Sequence, residues 1–289
     1  MGIAQAGRPA GAAPVAGVAF LHGPGWMTAP VEAVLASVVL PWERIPEVQV
    51  MIGTDGRHAV GQANGNELWS ISIPRQRWLE TLTGQIVATI TTLLRRLVFV
   101  HAGAVEIDGR ACVLIGDSGA GKTSTVAALL ACGGAYLSDE VALLDPETGN
   151  LVPFHLPMAI KPWTARASGP LPPGTDVARQ GAVVFRRPIR LGRVCPLGTV
   201  VLLEREGRPA VTEVSRAKAL LRLARQPSSF QYAGRTGEAF RAWARALRNA
   251  QCLQLAAHRP AALARVVMEM SRRSEGQPPP CSLRAPDLP

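Results

Sequence analysis

Cysteine, lysine and aromatic residues are all scarce in this chain of 289 residues. The five cysteines lie far apart, form no Cys-x-x-Cys pair and are odd in number, which argues against a disulfide framework and a zinc site. No stretch approaches the ~18 uninterrupted apolar residues of a membrane span, and the N-terminus lacks the basic start and apolar run of a signal peptide. We therefore expect a cytoplasmic protein with no membrane partner.

Lysine is the scarcer cation, since only three of the 31 lysines and arginines are lysines, while the formal net charge is +10. A positive field of this size favours anionic partners such as nucleotides, acidic peptides or nucleic acid. The arginines are spread along the chain without interleaved aromatic residues. This spacing argues against nucleic-acid binding.

The balance of 47% hydrophobic and 18% charged residues is that of a globular protein. At roughly 150 residues per domain, the length allows one large domain or two small ones. We predict an α/β fold with a largely central β-sheet. The segments expected are a disordered N-terminus (1–17), a small β-rich module (18–76), a connecting helix (77–97), an α/β domain (98–273) and a Pro-rich tail (274–289).

Hydrophobic periodicity and turn residues predict the elements of the α/β domain around one glycine-rich loop. Strands are predicted at 98–107, at 111–115, near 136–137, at 141–144 and at 199–203. Helices are predicted at 123–131, 215–225, 236–248 and 260–272, and residues 152–193 are predicted to be rich in loops.

The loop carries the sequence GDSGAGKT at residues 116–123 and satisfies the phosphate-binding pattern G-x-x-x-x-G-K-[ST]. Glycines let the backbone wrap a phosphate chain, Lys122 reaches its β- and γ-phosphates, and the Thr123 hydroxyl can ligate Mg²⁺. The pattern therefore predicts ATP and Mg²⁺ as cofactors. The residues predicted to bind the nucleotide are Gly116, Asp117, Ser118, Gly119, Ala120, Gly121, Lys122, Thr123 and Ser124.

Two adjacent carboxylates, Asp139 and Glu140, follow a predicted strand shortly after the loop helix. One acid would suffice for the metal, so a pair suggests that one carboxylate holds Mg²⁺ and the other accepts a proton from an attacking hydroxyl. The alternative is a solvated acidic turn.

The stretch from His101 through the loop to Leu137-Ser138-Asp139-Glu140 resembles the catalytic core of the HPr serine kinase/phosphorylase family. His101 precedes Lys122 by 21 residues and Glu140 follows it by 18, the same intervals as in that family. The resemblance covers roughly residues 98–162. The glutamate at position 140 and the segment Ile160-Lys161-Pro162 look closer to the related kinases of bacterial peptide-modification clusters.

The resemblance implies that Lys122 holds the phosphates, that Thr123 binds the metal and that Glu140 deprotonates an acceptor serine. With Glu140 as the base, the carboxylate-pair hypothesis assigns Mg²⁺ to Asp139. It also places His101 at the active site, although a histidine in an apolar strand is otherwise more often a core residue. The family has Asp at the second acid position, and its later glycine-rich segment is missing after Lys161. We therefore do not expect HPr itself to be the acceptor.

Two further basic features allow either a functional role or a plain surface position. Lys161 is a rare lysine in a proline-flanked segment, so it either contacts phosphate or substrate or is a surface cation. A cluster of arginines in the predicted loop region could dock a phosphate or acidic peptide, or form a solvated face. Its members are Arg186, Arg187, Arg190 and Arg193.

The function predicted is an ATP-dependent kinase that transfers the γ-phosphoryl group to a hydroxyl, with a serine of a peptide or protein as acceptor. The alternatives are a kinase for a small-molecule alcohol and a nucleotide-dependent switch ATPase that transfers no phosphoryl group to an acceptor. The sequence leaves open whether the chain forms a homo-oligomer.

Overall fold

The computed structural model describes residues 19–36, 46–168, 170–205, 210–226, 236–256 and 259–273. The two terminal segments predicted at 1–17 and 274–289 lie outside these residues. The chain divides into two compact units between Leu93 and Leu94. Both units combine strands with helices, so the fold is mixed α/β.

The N-terminal unit contains a four-stranded sheet in the order β1-β2-β3-β4, in which β1 is parallel to β2 and the other neighbours are antiparallel. The strands predicted between Val48 and Ile73 are present, whereas β1 and α1 were not predicted. The elements are β1 (Ala19–His22), α1 (Gly25–Leu35), β2 (Val48–Ile52), β3 (His58–Ala63), β4 (Asn66–Ser72) and α2 (Trp78–Leu93).

Helix α2 buries the apolar stripe that predicted it, including Leu79, Leu82, Ile86 and Ile90. It ends at Leu93, four residues before the end of the range predicted for a connecting helix, and belongs to the N-terminal unit. The chain must leave helical geometry here because it enters a strand at Val98.

The C-terminal unit carries the remaining strands and helices in a nine-stranded and a three-stranded sheet. Its strands are β5 (Val98–His101), β6 (Gly103–Ile107), β7 (Arg110–Ile115), β8 (Ala135–Ser138), β9 (Val141–Leu144), β10 (Asn150–Val152), β11 (Met158–Ile160), β12 (Gly174–Gln180), β13 (Val183–Pro188), β14 (Cys195–Glu204), β15 (Ala210–Glu213) and β16 (Gln251–Ala256). Its helices are α3 (Lys122–Ala131), α4 (Pro162–Ser168), α5 (Arg216–Ala224), α6 (Thr236–Ala246) and α7 (Pro260–Arg273).

The nine-stranded sheet runs in the order β5-β9-β10-β14-β7-β6-β8, with β16 beside β14 and β15 beside β16. Strand β7 is buried along most of its length and alternates its side chains between two cores: Val113 and Ile115 face α5 and α6, and Cys112 and Leu114 face α3 and α7. Each fully buried aliphatic side chain contributes roughly 1.5–3 kcal/mol. Helix layers on both faces therefore make the sheet a firm support for the loop that follows β7.

The single strand predicted at 98–107 is wrong, because the chain forms two strands separated at Ala102. Strand β5 pairs with β9, whereas β6 pairs with β7 and β8. The break arises because the two halves have different partners in the sheet. It leaves His101 at the end of β5, opposite Val141.

The loop-rich segment predicted at 152–193 instead contains α4 and an antiparallel sheet in the order β11-β13-β12. Strand β12 has no fully buried residue, and β13 buries only Phe185 and Pro188. The alternation of apolar and polar residues that identifies a strand in a sequence is therefore missing.

The later helices lie where periodicity predicted them, and α5 begins with a conventional N-cap in which the Lys218 amide donates to the Ser215 hydroxyl at 3.2 Å. Among the helices that the structure describes, none has the length and apolar character that crossing a membrane requires.

Candidate active site

The glycine-rich loop joins β7 to α3, so the predicted strand-loop-helix order is present. Gly121 caps α3 with a φ of 94°, in the left-handed region that other residues rarely adopt. A Cβ on Gly116 would lie 2.9 Å from the Leu203 carbonyl oxygen, which is closer than real contacts allow. Both glycines are therefore required by the path of the backbone.

The tip of the loop faces solvent. Asp117, Ser118 and Gly119 are exposed, and the Ala120 amide donates to the Asp117 carbonyl at 3.0 Å. Ser124 is 5% exposed and turns its side chain into the protein, so only its backbone is placed for contact with a ligand in the loop.

Lys122 is the first residue of α3, and its Nζ donates to the Gly116 carbonyl at 2.7 Å and, less closely, to the Asp117 carbonyl at 3.4 Å. Burial lowers the pKa of Lys122, while the charges of Glu140, Asp139 and Asp117 oppose that shift. The ammonium group is thus held over the loop by carbonyls that a more strongly charged acceptor could replace.

Asp139 immediately follows β8 and is only 3% exposed. Its Oδ1 has no hydrogen-bond partner among the described residues. Burial, and then the charge of Glu140, raise the pKa of Asp139 well above its usual range, although a hydrogen bond from the Thr123 hydroxyl and the charges of Lys122 and Lys161 favour the carboxylate. A buried carboxyl oxygen without a partner is costly unless a proton or a ligand satisfies it.

Glu140 differs from its neighbour because its side chain is 54% exposed. Its Oε2 lies 3.5 Å from the Nδ1 of His101, and its backbone carbonyl accepts from the Ala102 amide. Burial lowers the pKa of His101, which outweighs the opposing charge of Glu140. His101 is therefore neutral at neutral pH, and the contact with Glu140 is a polar contact rather than an ion pair.

These side chains meet at one edge of the nine-stranded sheet. Gly103 is opposite Leu114 and Ala104 is opposite Ser138, so the end of β8 lies beside the end of β7. The pairing of His101 with Val141 brings the end of β5 to the same edge. The residues brought together are His101, Lys122, Thr123, Asp139 and Glu140.

Lys161 follows β11 and its charge acts on Asp139, which places this lysine close to the acid pair. Its Nζ also lies 5.7 Å from the centre of the Trp163 ring, which is 64% exposed. Contact of Lys161 with phosphate or substrate stays a prediction.

The arginines of the predicted cluster have different surroundings. The Arg186 guanidinium pairs with Asp176 at 2.7 Å within the three-stranded sheet, and the Arg193 amide donates to Glu106. The Arg190 carbonyl accepts from Tyr136, two residues before the end of β8. The ion pair of Arg186 and the amide hydrogen bond of Arg193 thus belong to the framework around the sheets.

In the part of the chain that the structure describes, no group of three or more His, Cys, Asp or Glu side chains converges, as a metal site built from protein ligands alone would require. Magnesium differs from zinc in this respect, because it is commonly held by one or two carboxylates together with phosphate oxygens and water. Asp139 and the Thr123 hydroxyl match that limited set of donors.

Comparisons with known proteins found no matching family model and no matching curated protein. A solved structure, the Hpr(Ser) kinase/phosphatase from Coxiella burnetii, is similar over 62% of this chain and 99% of its own, with 12% identity and a TM-score of 0.35. Similarity at this level does not assign an activity.

Proposed function

We propose that this chain is an ATP-dependent kinase that transfers the γ-phosphoryl group to a hydroxyl, with a serine of a peptide or protein as the acceptor. The observation that carries the proposal is the convergence of a glycine-rich loop and Lys122 with two carboxylates of opposite environment, buried Asp139 and half-exposed Glu140. Their resemblance to the core of the HPr serine kinase/phosphorylase family supports the choice of a serine.

The loop and Lys122 fit a nucleoside triphosphate. The amides at the start of α3 offer hydrogen-bond donors and positive potential to phosphate oxygens. Lys122 already spans the loop to Gly116 and Asp117, and its ammonium would exchange those carbonyls for phosphate. Positioning and charge neutralisation of this kind supply most of the catalysis in phosphoryl transfer.

Asp139 and Thr123 fit Mg²⁺, because the buried Oδ1 of Asp139 lacks a partner among the described residues and the Thr123 hydroxyl is bonded to the same carboxyl group. When bound, the ion neutralises charge on the phosphates. Asp139 would hold it as a carboxylate, so it must lose the proton that burial otherwise favours.

Glu140 has the exposure that a general base for a large acceptor needs. Its carboxylate takes the proton of the acceptor hydroxyl as the new oxygen-phosphorus bond forms and the bond to the leaving β-phosphate oxygen breaks. Neutral His101 contacts the same carboxylate and restricts its position. ADP and a phosphoserine are the products, and the proton remains on Glu140 until solvent removes it.

The test uses Lys122→Ala with Lys218→Ala as its matched control, because the Lys218 ammonium donates to Gln254 on β16 and its amide belongs to the N-cap of α5. MgATP affinity is measured by calorimetry, and transfer is measured with γ-labelled ATP and a library of serine peptides. Lys122→Ala should lose transfer by at least about 10³-fold, and Lys218→Ala should match the wild type.

Three outcomes would overturn the proposal. Wild-type protein that binds no MgATP would exclude the nucleotide site. Transfer that survives Lys122→Ala would exclude the role of the loop. ATP hydrolysis at the same rate with and without every hydroxyl acceptor, with label never leaving as a phosphoester, would identify a switch ATPase instead of a kinase.

A further inference from the structure

Arg205 stands beside the glycine-rich loop although it lies far from it in sequence. It directly follows β14, whose last residues pack on the start of the loop: the Cβ position of Gly116 is 3.1 Å from the Leu203 Cβ. The Nη1 of Arg205 lies 3.6 Å from the position that a Cβ on Gly119 would take. Because Gly119 has no side chain, no Cβ separates this guanidinium from the loop backbone.

No acid in the described part of the chain pairs with Arg205. Glu204, the adjacent carboxylate, accepts from the Arg222 guanidinium at 3.2 Å. Among the described residues, none forms an ion pair or a hydrogen bond with the Arg205 side chain. An exposed arginine in this situation adds a fixed positive charge to a loop that already carries Lys122.

The sheet places Arg205 and the acid pair on opposite sides of the loop. Strand β7 lies between β14, which leads to Arg205, and β6, whose other neighbour β8 leads to Asp139 and Glu140. In phosphoryl transfer the attacking and leaving oxygens are roughly in line on either side of the phosphorus. An acceptor activated from the Glu140 side therefore leaves the developing negative charge on the side from which Arg205 approaches.

We propose that Arg205 contacts the terminal phosphoryl group of the bound nucleoside triphosphate and stabilises the charge that develops on the leaving oxygen. This inference rests on the proposed kinase function. Arginine suits the role because its planar guanidinium remains charged and can donate to two phosphate oxygens at once. Lys122 and Arg205 would then hold the phosphate chain from two sides of the loop.

The test compares Arg205→Ala and Arg205→Lys with the control Arg248→Ala. Arg248 is also exposed, but it lies in the turn Leu247–Asn249 before β16, whose first residue pairs with Thr199 in the middle of β14. For each variant, calorimetry gives the affinities for MgATP and MgADP, single turnover with γ-labelled ATP gives the transfer rate, and a thermal melt checks the fold.

Arg205→Ala should weaken MgATP about tenfold or more and MgADP clearly less, since ADP keeps the leaving oxygen but lacks the terminal phosphoryl group. Transfer should fall by about 10²–10³-fold, as when one donor to a transition-state oxyanion is removed. Arg205→Lys should recover part of the rate, because lysine restores the charge but cannot donate to two phosphate oxygens at once from a planar group. Arg248→Ala should match the wild type in all three measurements.

Equal losses for ATP and ADP, or no loss for either, would overturn the assignment of Arg205 to the terminal phosphate. Failure of the kinase proposal has a different signature, since wild-type protein would then bind neither nucleotide or would be insensitive to Lys122→Ala. In that case the assignment of Arg205 is also lost.

Discussion

The two ends of strand β7 lie in the same sheet, yet the polar groups around them differ in how fully they are hydrogen-bonded. At its first residue, Arg110 donates from Nη2 to the carbonyls of Leu197 and Asn249 at 3.2 Å each, and nearby Glu106 accepts from the Arg193 amide at 2.7 Å. At the loop end, the Oδ1 of Asp139 has no partner among the described residues although it is buried.

This difference in hydrogen bonding distinguishes polar groups that stabilise the fold, at the start of β7, from polar groups that are placed for a ligand, at its loop end. A satisfied hydrogen bond contributes about 1 kcal/mol, whereas a buried polar atom without a partner costs about 1–3 kcal/mol. Proteins retain such costs mainly where activity requires them. The loop end of the sheet therefore has the energetic character of a binding site, and the opposite end that of a structural join.

The largest effect on activity is expected from a substitution of Glu140. Glu140→Gln keeps the size and polarity of the side chain but cannot accept a proton, so phosphoryl transfer should fall by about 10²–10⁴-fold while MgATP affinity stays within a few-fold. Single-turnover transfer and calorimetry measure the two effects separately.

Glu140→Asp is the matched variant, because it keeps the carboxylate one methylene farther back and should retain part of the rate. Transfer by Glu140→Gln within a few-fold of wild type would show that another group, such as Asp139 or His101, is the base. Loss of MgATP binding would show that Glu140 serves the metal.

Asp139→Asn should weaken Mg²⁺ activation and at the same time stabilise the metal-free protein. The midpoint for Mg²⁺ activation should rise about tenfold or more, because the hard cation loses a carboxylate. In the metal-free protein the same change should raise the Tm at neutral pH by at least about 2 °C, the shift that roughly 1 kcal/mol produces in a domain of this size. An unchanged Mg²⁺ midpoint would place Asp139 away from the ion.

The pH dependence of that stability has a definite sign. Because the pKa of Asp139 is raised in the folded state, the folded protein keeps a proton that the unfolded chain loses at about pH 3.9. The contribution of Asp139 to the free energy of unfolding of the metal-free wild type should therefore decrease as pH rises above that value. Denaturant unfolding at several pH values should show that this contribution is absent in Asp139→Asn.

The smallest effect on activity is expected at the opposite end of the sheet. Arg110→Ala removes two hydrogen bonds to carbonyls, so it should lower the Tm by about 2–4 °C, corresponding to roughly 1 kcal/mol. MgATP affinity and transfer should remain within about twofold of wild type. A variant that melts normally yet loses nucleotide affinity would contradict the assignment of this end to structure alone.

Local patterns in the sequence predicted much of the framework correctly. The GDSGAGKT segment lies between β7 and α3 as its flanking residues indicated, and α5, α6 and α7 match their apolar periodicity. These features were accessible because glycine content, caps and helical spacing depend on residues close together in the chain. The roles assigned to the loop and acid residues remain predictions.

Strand pairing decided what local patterns could not. The division of 98–107 into two strands follows from their different partners in the sheet. The sheet β11-β13-β12 was not predicted because its strands show little alternation of apolar and polar residues. Likewise, nothing around Arg205 in the sequence indicates that it lies beside Gly119. That contact exists only because β14 pairs in parallel with β7 and ends at the same edge of the sheet.

The sequence by itself determined the glycine-rich loop, its strand and helix, and the order of the groups that carry chemistry. Only the tertiary structure decided that Asp139 is buried while Glu140 is half exposed, and that His101 touches Glu140. The physical reason is that burial and electrostatic environment are set by residues that arrive from distant parts of the chain. Two neighbouring carboxylates thus acquire different surroundings from the fold rather than from their own chemistry, and burial raises the pKa of Asp139.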